Sequence, residues 1–83
     1  MTPKPPPLHF DLSEVAFVGG VTLGAFTPCH KGTYEECRQH AAQVLRQYRR
    51  RRLPVAMNCR GQSWRALDGQ TVRALSIIAI YPY

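Results

Sequence analysis

The sequence predicts an α+β fold: a small antiparallel β-sheet with one amphipathic α-helix packed on one face. Three observations lead there. Apolar residues recur at helical spacing once, between Thr33 and Leu53. Short apolar runs punctuated by Gly-Gly, Arg-Gly and Asp-Gly pairs lie on either side of that stretch. The chain has 83 residues, enough for one domain with a thin core and too few for two.

Met1–Pro7 contains four prolines and reads as a flexible, extended arm, leaving residues 8–83 for the domain itself. Leu8, Phe10 and Leu12 alternate with His9 and Asp11, the period-two pattern of a half-buried strand. Val15–Val18 and Val21–Phe26 flank Gly19-Gly20, a pair that accepts the positive φ angles of a tight primed turn. A hairpin is expected there, followed by a loop over Thr27–Gly32. Thr33 and Glu36 then have the spacing of a capping box, in which each side chain satisfies a backbone N–H otherwise left unpaired. Tyr34, Cys37, Ala41, Val44, Leu45 and Tyr48 fall within roughly 100° of a helical wheel and form the packing stripe. Leu53-Pro54 ends the helix, because proline disfavours helical geometry in the residue before it.

Strands return over Val55–Cys59, Ser63–Leu67 and Thr71–Tyr81, the last two joined at Asp68-Gly69. Taking that pair as a two-residue turn places Trp64 opposite Arg73 on one face. The last strand is apolar on both sides, with Leu75, Ile77 and Ala79 on one and Ala74, Ile78 and Ile80 on the other. Such a strand belongs inside a sheet whose two faces are both covered. One helix covers one face. The other needs the arm, a second copy of the chain, or a partner.

Net charge is +6, and it is unevenly placed. Lys4 and Lys31 stand against Asp11, Glu14, Glu35 and Glu36 in residues 1–37, whereas residues 38–83 hold nine arginines against Asp68 alone. Arginine presents a planar fork of donors that grips phosphate or carboxylate through two bonds. Nucleic acid or an acidic protein surface is the partner such asymmetry suggests. No apolar run approaches the ~20 residues of a membrane span. Acidic residues precede Val15–Phe26 where a signal peptide needs positive charge. Cys29, Cys37 and Cys59 cannot all pair within one chain, so a reduced, cytoplasmic protein is expected.

The arginine run Arg49-Arg50-Arg51-Arg52 collars the end of the helix, while Arg38, Arg46, Arg49 and Arg50 share one flank beside the apolar stripe. One or two cations at a helix C-terminus are explained by the macrodipole; four are more than it needs. Arg60, Arg65 and Arg73 extend the basic set, and Trp64 among them is either a stacking platform or the largest core residue. Cys29, His30, Cys37 and His40, with Cys59, raise a zinc site, but the spacing matches no tight knuckle and no metal or cofactor is assigned. No acid–base pair or nucleophile stands out, so a non-enzymatic role is expected.

The leading expectation is a small basic protein that binds nucleic acid or a nucleoprotein complex through its arginine-rich helix flank. The interface would comprise Arg38, Arg46, Arg49, Arg50, Arg51, Arg52, Arg60, Trp64, Arg65 and Arg73. The alternative is an inhibitor or adaptor of the kind phages and mobile elements encode, acting through protein–protein contacts and able to form a homodimer through its sheet. Anti-CRISPR proteins are an analogy to it in size alone.

Overall fold

The structure is a computed structural model that describes residues 5–58 and 60–82. Cys59 and residues 1–4 of the expected arm lie outside the described residues. The order of elements is β1 (His9–Val18), β2 (Val21–Gly32), α1 (Tyr34–Arg50), β3 (Val55–Met57), β4 (Ser63–Asp68) and β5 (Thr71–Ile80). All strand pairs are antiparallel, and the five strands lie in the order β2-β1-β5-β4-β3. The α+β architecture is as predicted. β5 sits in the middle, between β1 and β4, as its two apolar sides require.

Gly19 and Gly20 both have positive φ, at 59° and 81°, and close the β1–β2 hairpin through a Val18↔Val21 pair. Three local expectations change. The two strands foreseen between Leu8 and Val18 are one, because the period-two register against β5 runs unbroken from His9↔Ile80 to Val18↔Thr71. Thr27–Gly32 is the second half of β2, and not a loop. Pro28 is tolerated there because β2 is an edge strand, where one flank needs no donor. The turn between β4 and β5 is Gly69-Gln70, with Gly69 at φ +64° in the first central position. Asp68 therefore pairs with Thr71, Trp64 with Leu75, and Arg73 with Ala66.

Helix α1 begins as the sequence specifies. The Glu36 N–H donates to Thr33 Oγ1 at 3.1 Å, and the Thr33 N–H donates to Glu36 Oε1 at 3.3 Å. Its other end closes through a pair of bonds: the Arg52 N–H reaches Arg49 O at 2.9 Å and the Leu53 N–H reaches Tyr48 O at 3.0 Å. That pair makes a Schellman motif with Arg52 in the left-handed position at φ 57°. The stripe faces the sheet along its whole length: Cys37, Ala41 and Tyr48 are buried, and Tyr34, Val44 and Leu45 are partly so.

The core lies between α1 and one side of the sheet. Leu12, Leu75 and Cys37 are fully buried, Ala41, Trp64 and Ile77 complete the cluster, and Phe10, Tyr34, Val44 and Leu45 pack around it. Phe10 and Tyr34 meet edge to face with ring centres 5.4 Å apart, tying β1 to the first turn of the helix. On the far side of the sheet only Ser13 and Val15 are buried among the described residues. Leu12 is the residue both neighbouring strands and the helix close upon. Leu12→Ala is expected to cost about 2–5 kcal/mol, a large part of the stability of so small a domain. A chemical-denaturation midpoint that stays put would show that the core is not centred there.

Candidate nucleic-acid interface

The candidate interface lies on the end of α1 and the sheet edge beside it. Arg38, Arg46, Arg49 and Arg50 are exposed on one flank of the helix. At 1.5 Å per residue this flank is roughly 18 Å long. Arg49 turns over a groove of about 360 Å³ whose apolar lining comes from Leu45, Leu53, Val55, Met57 and Trp64. The groove exists because α1 lies over β1, β2 and β5, leaving the helix-facing side of β3 only partly covered. Met57 on that strand is 64% exposed. Arg60 is exposed in the β3–β4 turn, which Asn58 organises by accepting from the N–H groups of Gln62 (2.9 Å) and Ser63 (3.3 Å).

Trp64 is only 7% exposed and belongs to the core. Of the two roles foreseen for it, packing is the one the structure gives it. Arg65 is exposed on the far side of the sheet, away from the helix. The basic set is therefore not one surface.

Two arginines are engaged in holding the fold together. Arg73 donates through Nε to Asp68 at 3.0 Å and through Nη1 to Glu14 at 3.4 Å. Arg51, at the helix end, donates to the same Asp68 oxygen at 2.8 Å. The buried Tyr48 hydroxyl donates to the second oxygen of Glu14. A chain of polar contacts thus runs from the last turn of α1, through Glu14 and Arg73 on the central strands, to Asp68 at the end of β4. Burial first, and then the Glu14 carboxylate, push the Tyr48 phenol well above its ordinary range, so it stays a donor. Hydrogen bonds from Arg73 and then Arg51 hold Asp68 below the usual carboxylate range.

Arg38, Arg46, Arg49, Arg50, Arg52, Arg60 and Arg65 form no ion pair among the described residues. Arg52 carries a further cost. A side chain in the left-handed region is disfavoured by roughly 1–2 kcal/mol, which is why glycine commonly stands there. Arginine therefore occupies this cap position at a conformational cost that glycine would not carry.

Of the cysteines and histidines raised as a zinc set, Cys59 lies outside the described residues, and the others form no cluster of three or more possible ligands. Cys37 is buried and donates to Phe10 O at 3.4 Å, Cys29 is exposed, and His30 stacks on His40 with ring centres 3.8 Å apart. No group of three or more metal-ligating side chains occurs among the described residues. The groups missed from sequence were Glu14 and Asp68, the anchors of the polar chain. A signal was present in that Glu14 falls on the helix-facing side of a strand otherwise apolar there. No family model, curated protein or solved structure matches the chain. No helix among the described residues is long and apolar enough to cross a membrane.

Two outcomes are expected. Arg52→Gly should raise the melting temperature, since it relieves the left-handed strain; an unchanged or lower value would mean the arginine has a packing role. Asp68 ionises below its unfolded value of ~3.9, so its contribution is complete above that pH and fades as pH falls through the folded value. Asp68→Asn should therefore melt earlier at neutral pH, and the gap to the parent should narrow as the pH falls below the ordinary carboxylate range. Melting curves that stay separated by the same interval at every pH would contradict this. Glu36, also held below its usual range by the Thr33 N–H, leaves some acid sensitivity in the variant.

Proposed function

We propose that this protein is a non-enzymatic nucleic-acid-binding module that grips the phosphate backbone through the arginine flank and end of α1. The observation that carries the reading is the group of arginines there with no ion-pair partner among the described residues: Arg38, Arg46, Arg49, Arg50 and Arg52. Charge repulsion among them is uncompensated within the described residues, and an anionic partner relieves it. The length of the flank corresponds to about five nucleotides at 3.4 Å per step.

Binding of this kind does not read sequence. Trp64, beside the flank, is buried, and the exposed Phe26 lines a groove on the other side of the sheet, so among the described residues no aromatic platform faces the arginines. Arginine forks on phosphate oxygens fix position and supply affinity, with no base edge contacted. Arg60, on the neighbouring turn, extends the contact past the helix end.

The consequence is a strong dependence on salt. With four or five phosphates engaged on duplex DNA, log K should fall against log salt with a slope of about −4. Arg49→Gln should reduce that slope by about 1 and weaken binding to unrelated sequences equally. Fluorescence anisotropy on two unrelated duplexes and a single strand, between about 50 and 200 mM salt, makes the measurement. Affinity that is flat across that range, or absent from all three probes, would rule the reading out and leave an acidic protein surface as the partner of the same arginines.

A further inference from the structure

The side of the sheet away from α1 is open. It presents Phe17 from β1, Leu67 from β4, and Val72, Ile78 and Ile80 from β5, around the buried Val15. Beside them Phe26 and Pro28 of β2 form one wall of a groove of about 590 Å³. Phe26 is 60% exposed and Ile78, on the central strand, is 43% exposed. An apolar surface on a central strand is a place where another surface packs.

We propose that this face binds a second copy of the chain, sheet against sheet, in a symmetric dimer whose two arginine-bearing helices lie on opposite outer sides. The size fits. At about 3.4 Å per residue and 4.8 Å between strands, the five strands present roughly 650 Å² in projection. Corrugation adds to that, and each partner of a standard interface contributes ~800 Å².

The charges fit a second copy better than a charged partner. The ionisable groups on the face are His9, Asp11, Lys31 and Arg65, a mixed set in which Asp11 already has His9 Nε2 at 3.2 Å and Lys31 across from it on β2, so a second copy's Arg65 would add to a partly exposed carboxylate that has near neighbours. Asp11 and Arg65 are placed symmetrically about Ser76. That residue pairs with Ser13 on β1 and Ser63 on β4; Asp11 is two residues before the first, and Arg65 two residues after the second. β1 and β4 run in the same direction, so the two charges lie at opposite corners, equally far from the centre. A two-fold axis in the plane of the face, perpendicular to the line joining them, sets Asp11 of each copy over Arg65 of the other. Strands of the two copies then cross at roughly 70°, in the near-orthogonal class of sheet packing. Ser76 meets its own image at the centre, where small side chains let the sheets approach.

Pairing through the sheet edges is the competing route, and the edges discourage it. β3 has three residues, and β2 is broken by register shifts opposite Leu12/Ser13 and Glu14/Ala16. The dimer does not depend on the nucleic-acid reading and is tested without nucleic acid.

Light scattering coupled to gel filtration gives the mass of the free protein, expected at twice the 9.4 kDa of one chain at micromolar concentration. Ile78→Lys, at an exposed position, should give a monomer with unchanged circular dichroism. Asp11→Arg and Arg65→Asp should each weaken the dimer about tenfold, and the two together should restore it. A parent protein that is monomeric would overturn the proposal and assign the face to a different partner. A dimer that survives Ile78→Lys would also overturn it, and a double variant no better than the single ones would overturn the pairing of Asp11 with Arg65.

Discussion

A single helix has to serve a five-stranded sheet, and most features of the molecule follow from where that helix is fixed. Its packing stripe is apolar over four turns, but it can cover only the part of the sheet it crosses. It lies over β1, β2 and β5, and there the core is closed. Beyond its reach the helix-facing side of β3 is left as a groove, and most of the reverse side of the sheet is left uncovered. Both of these uncovered surfaces are therefore by-products of one constraint, the shortage of helix.

What fixes the helix at its C-terminal end is polar. Tyr48 reaches Glu14, Glu14 and Asp68 share Arg73, and Asp68 also takes Arg51. Tyr48 and Glu14 lie between the helix end and the sheet, whereas the Arg51–Asp68 pair at the other end of this polar chain is open to water and is screened there. Each carboxylate has more than one donor, so removing any one partner leaves a charge that still has another. The apolar core holds the first three turns of the helix in place. The polar chain decides where the last turn, and with it the arginine collar, is presented.

Local features could be read from the chain because local chemistry determines them. The capping box, the Gly19-Gly20 turn and the six-residue stripe each depend on residues a few positions apart. The two-sided last strand likewise announced an uncovered face, through Ala74, Ile78 and Ile80. Thr27–Gly32 misled because its Pro, Lys and Gly are loop formers by local preference, while its position on an edge removes the penalty for them. The β4–β5 turn misled by one residue, because Asp-Gly and Gly-Gln both fit a two-residue hairpin and only the cross-strand register chooses between them. The polar chain was not legible at all. Arg73 and Glu14 are 59 residues apart in sequence, and nothing short of the fold brings them together.

The arginine count is where folding alters the argument most. Nine arginines in the second half of the chain suggest one basic surface, but the fold distributes them among different tasks. Arg51 and Arg73 neutralise carboxylates and stabilise the helix end. Arg65 projects from the opposite side of the sheet, a face whose charges are few and of mixed sign. What remains is the exposed set on α1 and the turn beside it. That set is smaller than the sequence implies, but it is free of internal partners among the described residues. It is also the set that includes Arg52, whose backbone would be better served by glycine. Arginines paired with carboxylates inside the fold, set beside arginines with no such pairing among the described residues, mark the physical distinction between those that hold this protein together and those available to the anionic partner proposed for them.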